Sequence, residues 1–90
     1  MLNPSERLQR IRYLLQQALA PTKLEIMDES AKHHGHAGAA SGAGHFAIEI
    51  ESHLFQQKNL IDCQRLVYAA LHELIPSEIH ALRIKTRVAT

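Results

Sequence analysis

The sequence predicts a small α+β domain in which two helices cover one face of a mixed three-stranded sheet, in the order α-β-β-α-β. Apolar residues recur at helical spacing in two segments, and three further segments alternate between polar and apolar residues. The chain has 90 residues, which suits a single domain spanning residues 1–90. Its apolar fraction of 46% is enough for a packed core.

Two amphipathic helices are expected. The first begins after Asn3, which can cap it, and ends before Pro21. The second spans roughly residues 61–75, is capped by Asn59 or Asp62, and ends before Pro76. The buried stripes are expected at Leu8, Ile11, Leu15 and Ala18 in the first helix, widened by Leu14 and Leu19, and at Leu66, Val67, Ala70, Leu71 and Leu74 in the second. The outer face of the first is expected to carry Arg7, Arg10 and Arg12.

Alternating polarity predicts strands at residues 23–28, 45–52 and 79–88. In the last strand the pattern places five residues on one face: His80, Leu82, Ile84, Thr86 and Val88. The other face receives Ile79, Ala81, Arg83, Lys85 and Arg87. The face of the sheet without helices should carry charges of both signs, which favours cross-strand ion pairs. Residues 29–44, between the first two strands, form a long glycine- and histidine-rich loop, a kind of segment that is usually functional or disordered.

Composition excludes several classes of protein. The net charge is +1, so no strong field marks the whole chain for nucleic acid or for an anionic membrane. No apolar run approaches a membrane span, and the first residues lack the pattern of a secretory signal, which predicts a cytoplasmic protein. A single cysteine, Cys63, precludes an internal disulfide and is expected to be a small buried apolar residue rather than a reactive thiol. No catalytic constellation is recognisable, and the isolated chain is expected to be monomeric and not an enzyme.

Histidine is the residue type that points to chemistry. Three of the seven histidines, His33, His34 and His36, lie in the glycine-rich loop, and neutral imidazole is a common metal ligand. His80 lies in an apolar run, where the alternatives are a ligand and a structural histidine bonded to a backbone carbonyl. His45 is expected to serve packing or hydrogen bonding, whereas His53 and His72 are expected at the surface. The loop motif Gly35-His36-Ala37-Gly38 spells the Gly-x-x-Gly of KH domains, but it lies between strands rather than helices.

The order and spacing of several motifs resemble the BolA family. The resemblance covers residues 24–86 and is carried by Asp28-Glu29-Ser30-x-x-His33, His45-Phe46-x-Ile48-x-Ile50-x-Ser52, Phe55, Arg65-Leu66-Val67-Tyr68 and Ile79-His80-Ala81-Leu82. It implies the same α-β-β-α-β order, in a fold like that of a class II KH domain. The chain departs from the family at Cys63-Gln64-Arg65, where an Arg-His-Arg is usual, and at Gln57, where a glycine is usual.

The resemblance implies a non-enzymatic partner of a monothiol glutaredoxin, sharing a [2Fe-2S] cluster with the glutaredoxin cysteine and a glutathione thiol. The expected ligands from this chain are His80 and a loop histidine, His33 by the motif, with His36 as a substitute. No cofactor is expected to bind tightly to the isolated chain. Imidazole must be neutral to bind the cluster, so binding should weaken as the pH falls.

Two other functions stay open at this point. Bacterial BolA proteins are also described as regulators of transcription in cell shape and stress response. A DNA-binding role would use the basic residues Arg65, Arg83, Lys85 and Arg87, helped by the arginines of the first helix, and would be steeply salt-dependent. A mononuclear zinc or copper site built from the loop histidines alone is the third alternative.

Overall fold

The computed structural model describes residues 2–30 and 42–90. Its elements confirm the predicted order: α1 (Pro4–Leu19), β1 (Lys23–Asp28), β2 (Gly44–Ser52), α2 (Leu60–Ala70) and β3 (Ile79–Val88). One-turn 3₁₀ helices at His53–Phe55 and His72–Leu74 follow β2 and α2. The predicted second helix was too long at its end, because the chain leaves the α-helix at Ala70 and tightens into the second of these turns.

β2 is the central strand of a mixed sheet with the order β1-β2-β3. β1 pairs with β2 in antiparallel fashion, whereas β3 pairs with β2 in parallel. The predicted fold class is therefore confirmed. The parallel pairing places the first residues of β2 and β3 at the same edge of the sheet.

Both helices pack on the face of the sheet that β2 presents through Phe46, Ile48 and Ile50. The helices contribute a buried stripe each, and one capping residue fixes the start of each helix. Asn3 accepts a hydrogen bond from the Glu6 backbone, and Asn59 accepts one from the Asp62 backbone. The buried stripes are Ile11, Leu15 and Leu19 in α1, and Cys63 and Val67 in α2.

The predicted faces of α1 were wrong at two positions. Arg7 was expected on the outer face but is only 5% exposed, and Ala18 was expected in the core but is exposed. Leu19, which was also predicted in the stripe, is buried at this end of the helix, because residues 11, 15 and 19 share one side of it. Arg7 continues that same side, and the buried carboxylate of Glu78 neutralises its charge.

The face of the sheet without helices carries charges of both signs, as predicted. Lys23 and Glu25 of β1 are exposed, as are Arg83, Lys85 and Arg87 of β3. The predicted cross-strand pairing is present between Lys85 and Glu49, whose charged atoms lie 4.0 Å apart. Surface pairs of this kind contribute little to stability, so this face is mainly a solvated part of the scaffold.

Gln57 occupies the position where the resemblance expects a glycine, and its φ is 59°, in the left-handed region. Replacing Gln57 by glycine is expected to stabilise the domain, because a side chain in this conformation costs about 1–2 kcal/mol whereas glycine adopts it freely. The unfolded chain gains entropy from a new glycine, so a net gain of about 0.5–1 kcal/mol is expected. Thermal unfolding monitored by circular dichroism measures it.

Gln56 provides a matched control, since it is an exposed glutamine with a φ of −59°. Gln56→Gly should destabilise the domain by about 0.5–1 kcal/mol, because glycine brings only its entropic cost there. Equal effects of the two substitutions would contradict the prediction.

Candidate metal-cluster site

The edge of the sheet where β2 and β3 begin contains an irregularity in the strand pairing. Gly44 pairs with Ile79, but the next residue, His45, pairs with Ala81. His80 is therefore an extra residue on β3, with no partner position on β2. Extra residues of this kind locally bend a strand and re-aim a side chain, and they are common next to functional sites.

The extra residue explains the orientation of His80. Strict alternation would put Ile79 and Leu82 on opposite faces, yet Ile79 is buried and Leu82 also packs against the core. The insertion lets both residues point inward and leaves His80 exposed. The prediction that Ile79 lies on the outer face, and His80 on the face of Leu82, was therefore wrong. The sequence signal for the extra residue was the spacing of Ile79 and Leu82, which lie three positions apart at the start of the strand.

His45 and His80 are in contact at this edge. Their ring centroids lie 5.2 Å apart, and the ring planes are inclined by 52°. His45 is buried, with 8% of its surface exposed, whereas His80 faces solvent. The structure therefore brings a second imidazole to His80 from the start of β2. From the sequence, His45 was predicted to serve packing or hydrogen bonding and was not among the candidate ligands.

The other predicted ligands, His33 and His36, lie outside the described residues, as does His34. The described residues on either side of this segment fix its two ends at the His45 edge. The Glu29 backbone N–H donates to the His45 carbonyl over 2.7 Å, and the Ser30 hydroxyl accepts from the His45 backbone N–H over 3.1 Å. Both ends of the loop sequence therefore leave and enter the sheet beside the histidine pair.

Gly44 allows the close packing at this edge. A Cβ atom on Gly44 would lie 2.5 Å from the Phe46 ring, which is itself buried in the core, and 3.1 Å from the Ser30 hydroxyl. Only glycine leaves space for both neighbours. The local backbone at the start of β2, and with it the position of His45, therefore depends on Gly44.

A buried ion pair between Arg7 and Glu78 stabilises the same edge of the sheet. The Arg7 guanidinium donates to the Glu78 carboxylate over 3.3 Å and to the Gly42 carbonyl over 3.2 Å. The Glu78 carbonyl in turn accepts from the Gly44 backbone N–H over 2.9 Å. Arg7 thus connects α1 both to the residues that precede β2 and to the residue that precedes Ile79 and His80.

A shallow cleft of about 270 Å³ opens beside the histidine pair, and its lining includes His45, Glu29 and Arg83. Arg83 and Glu29 form an ion pair across it, with 2.7 Å between the guanidinium and the carboxylate. The hydrogen bond to Glu29, together with the charge of that carboxylate, raises the pKa of Arg83 above its ordinary value. The cleft therefore brings the His45 imidazole, a carboxylate and a guanidinium together beside His80.

The described part of the chain does not form a complete metal site by itself. Within residues 2–30 and 42–90, no three histidine, cysteine, aspartate or glutamate side chains are grouped so that they could hold a metal ion. The predicted buried state of Cys63 is confirmed: the side chain is 5% exposed, and its sulfur lies 3.8 Å from the Phe55 carbonyl oxygen. Two adjacent imidazoles fit a cluster whose remaining ligands come from another molecule.

The fold and this edge define a class of protein: a small α+β domain that presents histidines at the start of two parallel neighbouring strands. The family model described as "BolA-like protein" matches residues 15–90. The chain belongs to the BolA-like family. The resemblance found in the sequence is thereby confirmed.

Known relatives cover most of this chain. Protein BOLA1, chloroplastic, of Arabidopsis thaliana is 39% identical over 90% of this chain and 52% of its own length. The DNA-binding transcriptional regulator BolA of Escherichia coli (strain K12) is 33% identical over 87% of this chain and 71% of its own. The solved BolA domain of SufE1 from Arabidopsis thaliana superposes with a TM-score of 0.80 at 36% identity, covering 98% and 95% of the two chains. This chain spans about half the length, or less, of several curated relatives.

Proposed function

We propose that this protein is a non-enzymatic partner of a monothiol glutaredoxin and binds, together with it, a shared [2Fe-2S] cluster in iron-sulfur trafficking or in iron and stress regulation. The observation that carries the proposal is the exposed position of His80 at the edge where the long histidine-containing loop begins and ends. The other ligands would be the glutaredoxin cysteine and a glutathione thiol.

The residues of this chain would contribute imidazole ligands and a docking edge. His80 is one ligand, and the second is an imidazole from the adjoining stretch, for which the family motif names His33 with His36 as a substitute. Imidazole ligation in place of thiolate raises the reduction potential of a cluster, as it does in Rieske centres. A chain that brings only part of the coordination binds the cluster firmly only in the complex, so we expect none to stay on the isolated chain.

No helix in the described part of the chain is long and apolar enough to cross a membrane. We place the function in the cytoplasm, as the sequence predicts, although the name of one Arabidopsis relative assigns that protein to chloroplasts and that of another to chloroplasts or mitochondria. The proposed ligation does not depend on the compartment, because it requires only the histidine edge and the partner.

An NMR titration of the isotope-labelled chain with a monothiol glutaredoxin and glutathione tests the proposal. Without cluster, the amide signals of the first residues of β2 and β3 should shift when the glutaredoxin binds. With cluster, the signals nearest His80 should be broadened beyond detection, because the iron is paramagnetic. Lys23, which pairs with Glu51 at the far end of β2, serves as an internal control and should keep its signal. The absence of any shift at His80 would refute the proposal.

DNA binding is the second candidate, favoured by the name of the Escherichia coli relative and by the exposed Arg83, Lys85 and Arg87 on β3. The structure weakens part of its basis, because Arg7 is buried and Arg83 and Arg65 are paired with Glu29 and Asp62. Binding to promoter fragments should fall steeply with salt if phosphate contacts dominate. Affinity that is unchanged in Lys85→Ala/Arg87→Ala would exclude this face.

A further inference from the structure

The separation of His45 and His80 matches that of two ligands on one metal ion. In a tetrahedral zinc site, a metal–nitrogen bond of about 2.0–2.1 Å puts an imidazole centroid about 3.2 Å from the metal, so two coordinated rings have centroids about 5.2 Å apart. The observed distance is 5.2 Å. Rings that merely pack can also have this spacing, since aromatic pairs range over about 4.5–7 Å. The spacing therefore supports ligation but does not by itself distinguish ligation from packing.

The backbone that carries each of the two rings is also held in place. His45 is buried, and both its backbone groups are bonded to the residues that follow β1: its carbonyl accepts from Glu29 and its N–H donates to the Ser30 hydroxyl. His80 is turned outward by the extra residue in β3. Strand pairing thus fixes the backbone at both positions, and a ligand held in place before binding loses less conformational entropy than one that becomes ordered only on binding.

We infer that His45 supplies the second imidazole, so that His45 and His80 bind the same iron of the shared cluster. The inference rests on the proposed function and makes it more specific, because it replaces the loop histidines His33 and His36 by a residue of β2. Each iron of a [2Fe-2S] cluster has two terminal ligands besides its bridging sulfides. The His45–His80 pair would complete the coordination of one iron, as the histidine pair does in Rieske centres. Thiolates would complete the coordination of the other iron.

Pulsed EPR of the reduced cluster counts the coordinated histidines. The sample is the complex of glutaredoxin, glutathione and this chain, with the chain labelled with ring-¹⁵N histidine. The wild-type complex should show two strongly coupled ¹⁵N nuclei. His45→Gln should show one, whereas the matched double variant His33→Gln/His36→Gln should keep two. Two couplings in His45→Gln, with one lost in the loop variant, would overturn the inference and leave the proposed function intact.

His45 is buried, so His45→Cys provides a variant that retains a possible ligand. A thiolate at the same position should keep the cluster, leave one ¹⁵N coupling and lower the reduction potential. Two couplings in this variant would show that residue 45 only packs against His80. His80→Ala that still shows two couplings, or a wild-type complex that forms no cluster, would instead overturn the proposed function.

A metal-binding test without glutaredoxin examines the inference about His45 independently of the proposed function. Zn²⁺ added to the isolated chain should move the ring-nitrogen NMR signals of His45 and His80 together, with weak affinity, because two imidazoles make an incomplete site. If Zn²⁺ moves the signals of His80 and His33 or His36 while those of His45 stay unchanged, the inference fails.

Discussion

Replacing Arg7 by methionine is expected to lower the free energy of unfolding by about 3–5 kcal/mol, which is the cost of leaving a buried charge without its partner. The side chains of Arg7 and Glu78 are only 7% and 10% exposed, so water cannot replace the lost contact. The Leu2 backbone N–H also donates to the Glu78 carboxylate, but one neutral donor does not compensate for a guanidinium. Urea denaturation of the variant measures the loss.

Two further variants isolate the cause. Arg12→Met changes an exposed arginine of the same helix, and its effect should stay within about 0.5 kcal/mol. The double variant Arg7→Met/Glu78→Met should be more stable than Arg7→Met alone, because it no longer buries an unpaired carboxylate. A double variant as unstable as the sum of the two single variants would show that the ion pair is not the reason for the loss.

His80→Ala is expected to remove the cluster from the complex with glutaredoxin while leaving the fold intact. Loss of an outer-shell partner of a metal ligand costs about 10- to 100-fold in affinity, and loss of the ligand itself should cost at least as much. The side chain is exposed, so its removal leaves no cavity in the core. Iron and sulfide content after co-purification, together with the visible absorption spectrum, measures the effect.

His72→Ala is the matched control, since His72 is also exposed but lies in the 3₁₀ turn after α2. It should keep full cluster content. If His80→Ala retains iron and sulfide at the level of His72→Ala, His80 does not bind the cluster. A thermal unfolding curve of His80→Ala that matches the wild-type curve would separate loss of ligation from loss of folding.

Local patterns were sufficient to predict the elements of this fold. The strands Lys23–Asp28 and Ile79–Val88 have the predicted bounds, and Asn3 and Asn59 cap the helices as expected. These features follow from residues near one another in sequence, through side-chain periodicity and capping, and the sequence records them directly. His80 was also predicted as a ligand from the sequence, through the motifs shared with the BolA-like family, and that role stays a prediction.

The arrangement of the candidate site depends on contacts between distant residues. Arg7 was placed on the wrong face because its partner Glu78 is 71 positions away. His80 is exposed, and lies next to His45, because β3 contains one residue more than β2 at the start of their pairing. The sequence by itself determined the order of helices and strands and the presence of histidines, since these are local properties. Only the tertiary structure decided which histidines meet, because strand register and buried charge pairing are set by packing across the whole chain.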